Sequence, residues 1–179
     1  SNMRLFTKSA FKQALFCPAS LYYYYDREHY ANQNNEDDFL QALADGGIQV
    51  GDLAKVYYKV GKGADLQVLD YDRSLEITQK LLRNQDINIA EAAFRWENCF
   101  VRADIIEKKG DSINLIEVKA KSWDPAVDSF TQKTNGNKVN TGILEYVYDV
   151  AFQKYVIQNA CPGYKVHAYL MLADKSVVA

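Results

Sequence analysis

Asp104, Glu117 and Lys119 are the residues of this chain whose types and spacing could do chemistry. Hard divalent ions such as Mg²⁺ and Mn²⁺ favour oxygen ligands, and Mg²⁺ usually takes one or two carboxylates while keeping waters that a substrate phosphate can displace. Asp104 and Glu117 would supply that anchor, and the backbone carbonyl of Val118 a further oxygen. Lys119 lies two residues after Glu117, so in a strand it points the same way. Its ammonium could stabilise charge developing on a phosphate or steady an attacking water.

These residues fall in the stretch from Phe100 to Trp123, FVRADIIEKKGDSINLIEVKAKSW, two alternating runs around a Gly-containing break. The pattern predicts a β-hairpin. With Lys109 and Gly110 as its two-residue turn, residue 104 lies opposite 115 and residue 102 opposite 117. One face then carries Val101, Ala103, Ile105, Ile116, Val118 and Ala120 and reads as core. The other carries Arg102, Asp104, Glu117 and Lys119, with Ile106 and Leu115 toward the turn. Asp104 and Glu117 become diagonal neighbours with backbones roughly 7–8 Å apart, near enough for two carboxylates to share one cation. An isolated Glu-x-Lys pair is most often just a solvated ion pair. An aspartate on the matching strand is what raises this one above that reading.

An aspartate, a short hairpin and then Glu117-Val118-Lys119 resembles the signature of the PD-(D/E)XK nuclease superfamily, with Ala103 where the nominal proline stands. The resemblance extends to the RecB-like branch that includes CRISPR-associated exonucleases. Its further supports are the segment from Ser9 to Tyr22 with Cys17-Pro18 and Leu21-Tyr22, a Gly-led helix at Gly51, and a glutamine-bearing helix at Gln153. The resemblance implies a metal-dependent deoxyribonuclease, exonuclease-like, acting on DNA with Mg²⁺ or Mn²⁺. Asp104, Glu117, Lys119 and Gln153 are its implied catalytic residues. The branch usually carries a histidine on the Gly-led helix; Gly51-Asp52-Leu53-Ala54-Lys55 has none, and Asp52 could replace it as a ligand or be an exposed aspartate at a helix start. Its usual tyrosine four residues after the glutamine is here Ile157, with Tyr155 nearer. Glu91, an acid inside an apolar strand beside the hairpin, is a further candidate ligand. A non-catalytic nucleic-acid-binding or assembly module on the same scaffold is the alternative, since fold does not establish activity.

Some members of that branch hold an iron–sulfur cluster through four cysteines. Cys17 matches the first position, but Cys99 and Cys161 are isolated, so three thiolates stand where four are needed and no cluster is expected. His29 and His167 show no zinc-ligand spacing. The 179 residues, 48% hydrophobic and 25% charged, suit one globular domain spanning 3–179, with Ser1-Asn2 read as a tag scar. No apolar run of about 18 residues and no secretory pattern is present, so a cytoplasmic protein without membrane contact is expected. The apolar ending Val177-Val178-Ala179 suits the front portion of a longer protein. A net charge of −2 gives no global field for nucleic acid. Local cations, namely Arg102, Lys108, Lys109, Lys119, Lys121, Lys133 and Lys138, could line a groove instead.

Positioning these groups calls for an α/β fold, a central mixed β-sheet of about four strands flanked by helices. Strands are predicted over Ile87–Trp96, Cys99–Glu107, Ser112–Lys121 and Tyr164–Ala173. Helices are predicted after a Thr7 cap through about Phe16, from Pro18 through the tyrosine run, over Phe39–Ala44 and Ile48–Val60, from Asp72 or Ser74 to Leu82, and over Ile143–Ala160. The polar segment from Ser122 to Gly142 is long for a connection and suits a loop that closes on substrate.

Overall fold

Alternating apolar residues and two tight turns build a three-stranded antiparallel meander: β2 (Asp86–Trp96), β3 (Cys99–Lys109) and β4 (Ser112–Trp123). The computed structural model describes residues 6–8, 11, 50–123, 126, 128, 129, 131, 136, 138 and 140–174. A short β1 (Phe6–Thr7) and β5 (Lys165–Asp174) complete a mixed five-stranded sheet, with β1 parallel to β3 and β5 parallel to β4. Three described helices flank it: α1 over 50–57, α2 (Tyr71–Leu81) and α3 (Thr141–Ala160). The α/β architecture agrees with the sequence reading. Thr7 directly precedes the helical residues Lys8 and Phe11, where a cap was expected, and it also ends a short strand that the sequence did not announce. The predicted helices over 18–25 and 39–44, together with Cys17, His29 and most of the 124–139 connection, lie outside the described residues.

Helix starts follow side-chain capping. Asp70 accepts the Arg73 N–H at 2.8 Å to open α2, and Asn140 accepts the Gly142 N–H at 2.9 Å to open α3. Both helices put apolar residues on one sheet face, where Leu82, Phe152, Val156 and Ile157 pack with Ile106, Ile113 and Leu115. The other face buries Ile105 and Ile116 beneath Ala54 of α1. Both faces of the hairpin are therefore covered. This corrects the division into a core face and a chemical face, because Ile106 and Leu115, assigned to the chemical side, are fully buried.

The turn also differs from expectation. Gly110 and Asp111 form it, Lys109 pairs with Ser112, and Ile105 pairs with Ile116. Gly110 carries φ +57°, a left-handed conformation that disfavours lysine, which is why the turn moves one residue along. Pairing thus shifts by two positions, which preserves parity from Ile105 to Ile116, whereas Val101 and Ala103, expected beside Ile105, lie on the opposite face with Ile106.

A second irregularity does more for the site. Ile89, Ala92 and Phe94 share one cluster while Ala90 belongs to the other, so alternation slips by one residue at Glu91. In β3, Val101 and Ala103 lie with Ile106 while Ile105 faces away, a matching slip at Asp104. Glu91 and Asp104 would be partners, yet theirs is the one missing rung between Asp86↔Lys109 and Trp96↔Cys99. Glu91 has φ +57°, unusual for a residue with a side chain.

Along the edge of β3 opposite β2, two strands share the length. β4 holds Ile105 to Lys109, whereas β1 holds Cys99 and Phe100. Between them the strands part, and Asp104 sits at the fork. The outer edge of β2 is partly closed, since Ala90 O accepts from Leu66 N at 3.0 Å and Ala93 N donates to the buried Thr78 hydroxyl at 2.9 Å.

Candidate active site

At the fork the ladder gives way to side chains. The β3–β4 pairing ends at Ile105↔Ile116, and farther along β4 the Val118 N–H donates at 2.7 Å to Asp104 Oδ2. Glu117, only 1% exposed, lies on the covered side beneath α3. Its Oε1 accepts from Lys8 Nζ at 2.8 Å and faces Lys119 Nζ at 3.2 Å, and its Oε2 accepts from Gln153 Nε2 at 2.6 Å. Lys119 Nζ also donates to Asp149 Oδ2 at 2.8 Å and stands 5.0 Å from the centre of the Tyr146 ring. Asp149 and Gln153 are one turn apart on α3, both fully buried in the stripe that continues through Val156 and Ile157.

Electrostatics separates the two carboxylates at the fork. Burial, reinforced by the Glu117 charge, pushes the Asp104 carboxyl up to about 7, against the pull of the Val118 amide and Lys8. Burial acts on Glu117 in the same sense, but Lys8, Lys119 and Gln153 outweigh it and hold that carboxyl below its ordinary value. Lys119 is driven the other way: burial would discharge it, yet Glu117 and Asp149 raise its pKa and keep it an ammonium. One carboxyl is thus poised near neutrality beside another that stays ionised.

The residues singled out in the sequence are distributed unevenly. Asp104, Glu117, Lys119 and Gln153 come together. Glu91 stands opposite Asp104 in the sheet, its Oε2 3.6 Å from Arg102 Nε, and burial raises its pKa. Asp52 is two-thirds exposed and sits 3.9 Å from Lys55, which is drawn closer to Asp65 at 3.1 Å and Gln67 at 2.6 Å. It contacts neither Asp104 nor Glu117. Val118 enters the cluster through its amide, which holds Asp104. Ile157 is core, and Tyr155 packs edge-on against Trp96. Two of the proposed groove cations are structural: Arg102 donates to Leu66 O and Leu69 O, and the buried Lys108 donates to Asn84 O and Gln85 O.

Two residues of the cluster, Lys8 and Asp149, escape the sequence reading. Asp149 had a signal, an acid four residues before Gln153 on a helix whose other buried positions are apolar. Lys8 had none, because only the pairing of β1 with β3 brings it 109 positions along the chain to Glu117.

Among the described residues no three His, Cys, Asp or Glu side chains converge as a ready-made metal site. The donor set still suits a divalent ion. Burial first, and the Glu117 charge second, raise the Asp104 pKa, so a cation shared by the two hard carboxylates would relieve a cost, and positive charge already gathers on Glu117. Gln153 Oε1 is buried with no hydrogen-bond partner among the described residues, an acceptor left over beside the acids. Its amide orientation is fixed by the neighbouring carboxylate, which requires the NH₂ side. No helix of the described residues is long and apolar enough to cross a membrane. A scan against profiles of known protein families found no match, and a search of curated proteins found none either.

Proposed function

We propose that this chain is a metal-dependent nuclease of the PD-(D/E)XK type, exonuclease-like, that hydrolyses phosphodiester bonds in DNA with Mg²⁺ or Mn²⁺. The observation that carries the reading is the convergence of Asp104, Glu117 and Lys119 at the strand fork, with Gln153 fixing the glutamate. Asp104 and Glu117 would hold the ion, with Glu91 the nearest further acid. When bound, such an ion polarises the scissile phosphate and lowers the pKa of a water.

The protein's own groups do the rest. Lys119, held protonated between Glu117 and Asp149, cannot take the proton of the attacking water. Its part is to donate to a phosphate oxygen as negative charge builds there. Gln153 fixes the rotamer of Glu117, so the carboxylate need not reorganise during the reaction. Burial of the acids keeps bulk water from screening these charges.

The test is degradation of linear DNA with Mn²⁺ and with EDTA. Asp104→Ala and Lys119→Ala should each abolish Mn²⁺-dependent cleavage while the circular dichroism spectrum persists. Metal-independent DNA retention without cleavage would instead select the non-catalytic module.

A further inference from the structure

We propose that Lys8 is an exchangeable counter-ion of this centre: its ammonium neutralises Glu117 in the metal-free protein, yields that oxygen to a divalent cation, and is then left facing the substrate phosphate. The inference rests on the metal-dependent reading above and deepens it.

Glu117 Oε1 has two ammonium neighbours, and they are held differently. Lys119 is anchored by Asp149 Oδ2 at 2.8 Å and by the Tyr146 ring, and lies farther from Glu117, at 3.2 Å. Lys8 has the shorter contact, 2.8 Å, and Glu117 is its one hydrogen-bond partner among the described residues. Its side chain is 28% exposed while that of Glu117 is 1% exposed, so Lys8 approaches from the solvent side. Lys8 is the more exposed of the two ammonium neighbours, 28% against 20% for Lys119. The backbone just before Lys8 is held by the sheet, because Phe6 and Thr7 pair with Cys99 and Phe100. The long side chain alone can therefore swing, without moving its anchor.

Charge supports an exchange. Lys8 and Lys119 set two ammonium groups against the one Glu117 carboxylate. A divalent ion adds two positive charges, and Lys8 is the ammonium with the fewest ties to keep it on the carboxylate. Once displaced, it is a free donor at the mouth of the site, where a phosphate is the complementary ligand.

Mn²⁺ binding to Lys8→Met and Lys8→Arg, followed by electron paramagnetic resonance of the free ion at constant pH, tests this without any turnover. Removing the competing charge should tighten Mn²⁺ binding roughly tenfold in Lys8→Met, whereas Lys8→Arg stays near wild type. Lys8→Gln, a second neutral variant, should match Lys8→Met, with circular dichroism confirming the fold of each. On linear DNA the neutral variants should raise KM several-fold more than they lower kcat. Unchanged or weaker Mn²⁺ binding in the neutral variants, with wild type still binding through Glu117, overturns the role of Lys8 and leaves the metal centre standing. Absence of Mn²⁺ binding in wild type overturns both.

Discussion

Replacing Asp104 with asparagine should stabilise the metal-free protein, and increasingly so as pH rises. The carboxyl titrates near 3.8 in an unfolded chain and at about 7 in the folded one. A folded pKa raised above the unfolded value gives stability that is complete below the unfolded pKa and is lost as pH rises through the folded pKa. The distance between those two values corresponds to about 4 kcal/mol, of which roughly 2–3 kcal/mol is lost between pH 5 and 8. Glu117 works in the opposite sense, since its folded pKa is depressed and its contribution disappears only on acidification below the ordinary glutamate range. The two windows therefore separate. The amide of the Asp104→Asn variant would still accept the Val118 N–H but carries no charge, so that variant's stability should not follow the carboxyl titration. Urea unfolding in EDTA, followed by tryptophan fluorescence at pH 5, 6, 7 and 8, should show the advantage of Asp104→Asn over wild type growing by about 2–3 kcal/mol across that range. A constant or shrinking difference would refute the idea that the carboxylate is held at a cost. Mn²⁺ should erase the advantage at pH 8 by stabilising wild type alone.

Three further outcomes follow from the contacts. Gln153→Leu removes the 2.6 Å donor to Glu117 Oε2 and should destabilise by about 1–3 kcal/mol in urea while lowering DNA cleavage at least about tenfold. Lys108→Met keeps the buried stem but leaves Asn84 O and Gln85 O without their shared ammonium, so about 2 kcal/mol of stability should be lost with cleavage unchanged. Thr78→Val deprives the Ala93 amide of its acceptor at the sheet edge and should cost about 1–3 kcal/mol, with faster amide hydrogen exchange at Ala93.

The strands β2 to β5 were legible because their alternation and turns are local, and the shared face of Glu117 and Lys119 was legible because a two-position shift in pairing preserves parity along β4. The turn itself was misplaced, since Lys109-Gly110 and Gly110-Asp111 differ only in which residue takes the positive φ. Exchange of faces at Glu91 and Asp104 left no mark in the apolar pattern, because Ala90, Ala92 and Ala103 suit either side. Asp149 was half legible, an acid in register with Gln153, but its meaning depends on Lys119 coming within reach. Lys8 depends on strand pairing across most of the chain, which single-sequence patterns do not encode.

The fork in the sheet also bears on how the molecule comes into being. Its charged centre draws on positions 8, 104, 117 and 149, and the contact between the first and third spans 109 residues. Loops that long close slowly and late relative to hairpins. A nascent chain can therefore complete the meander before its first strand docks, and Glu117 lacks the nearer of its two ammonium neighbours until the N-terminus comes home.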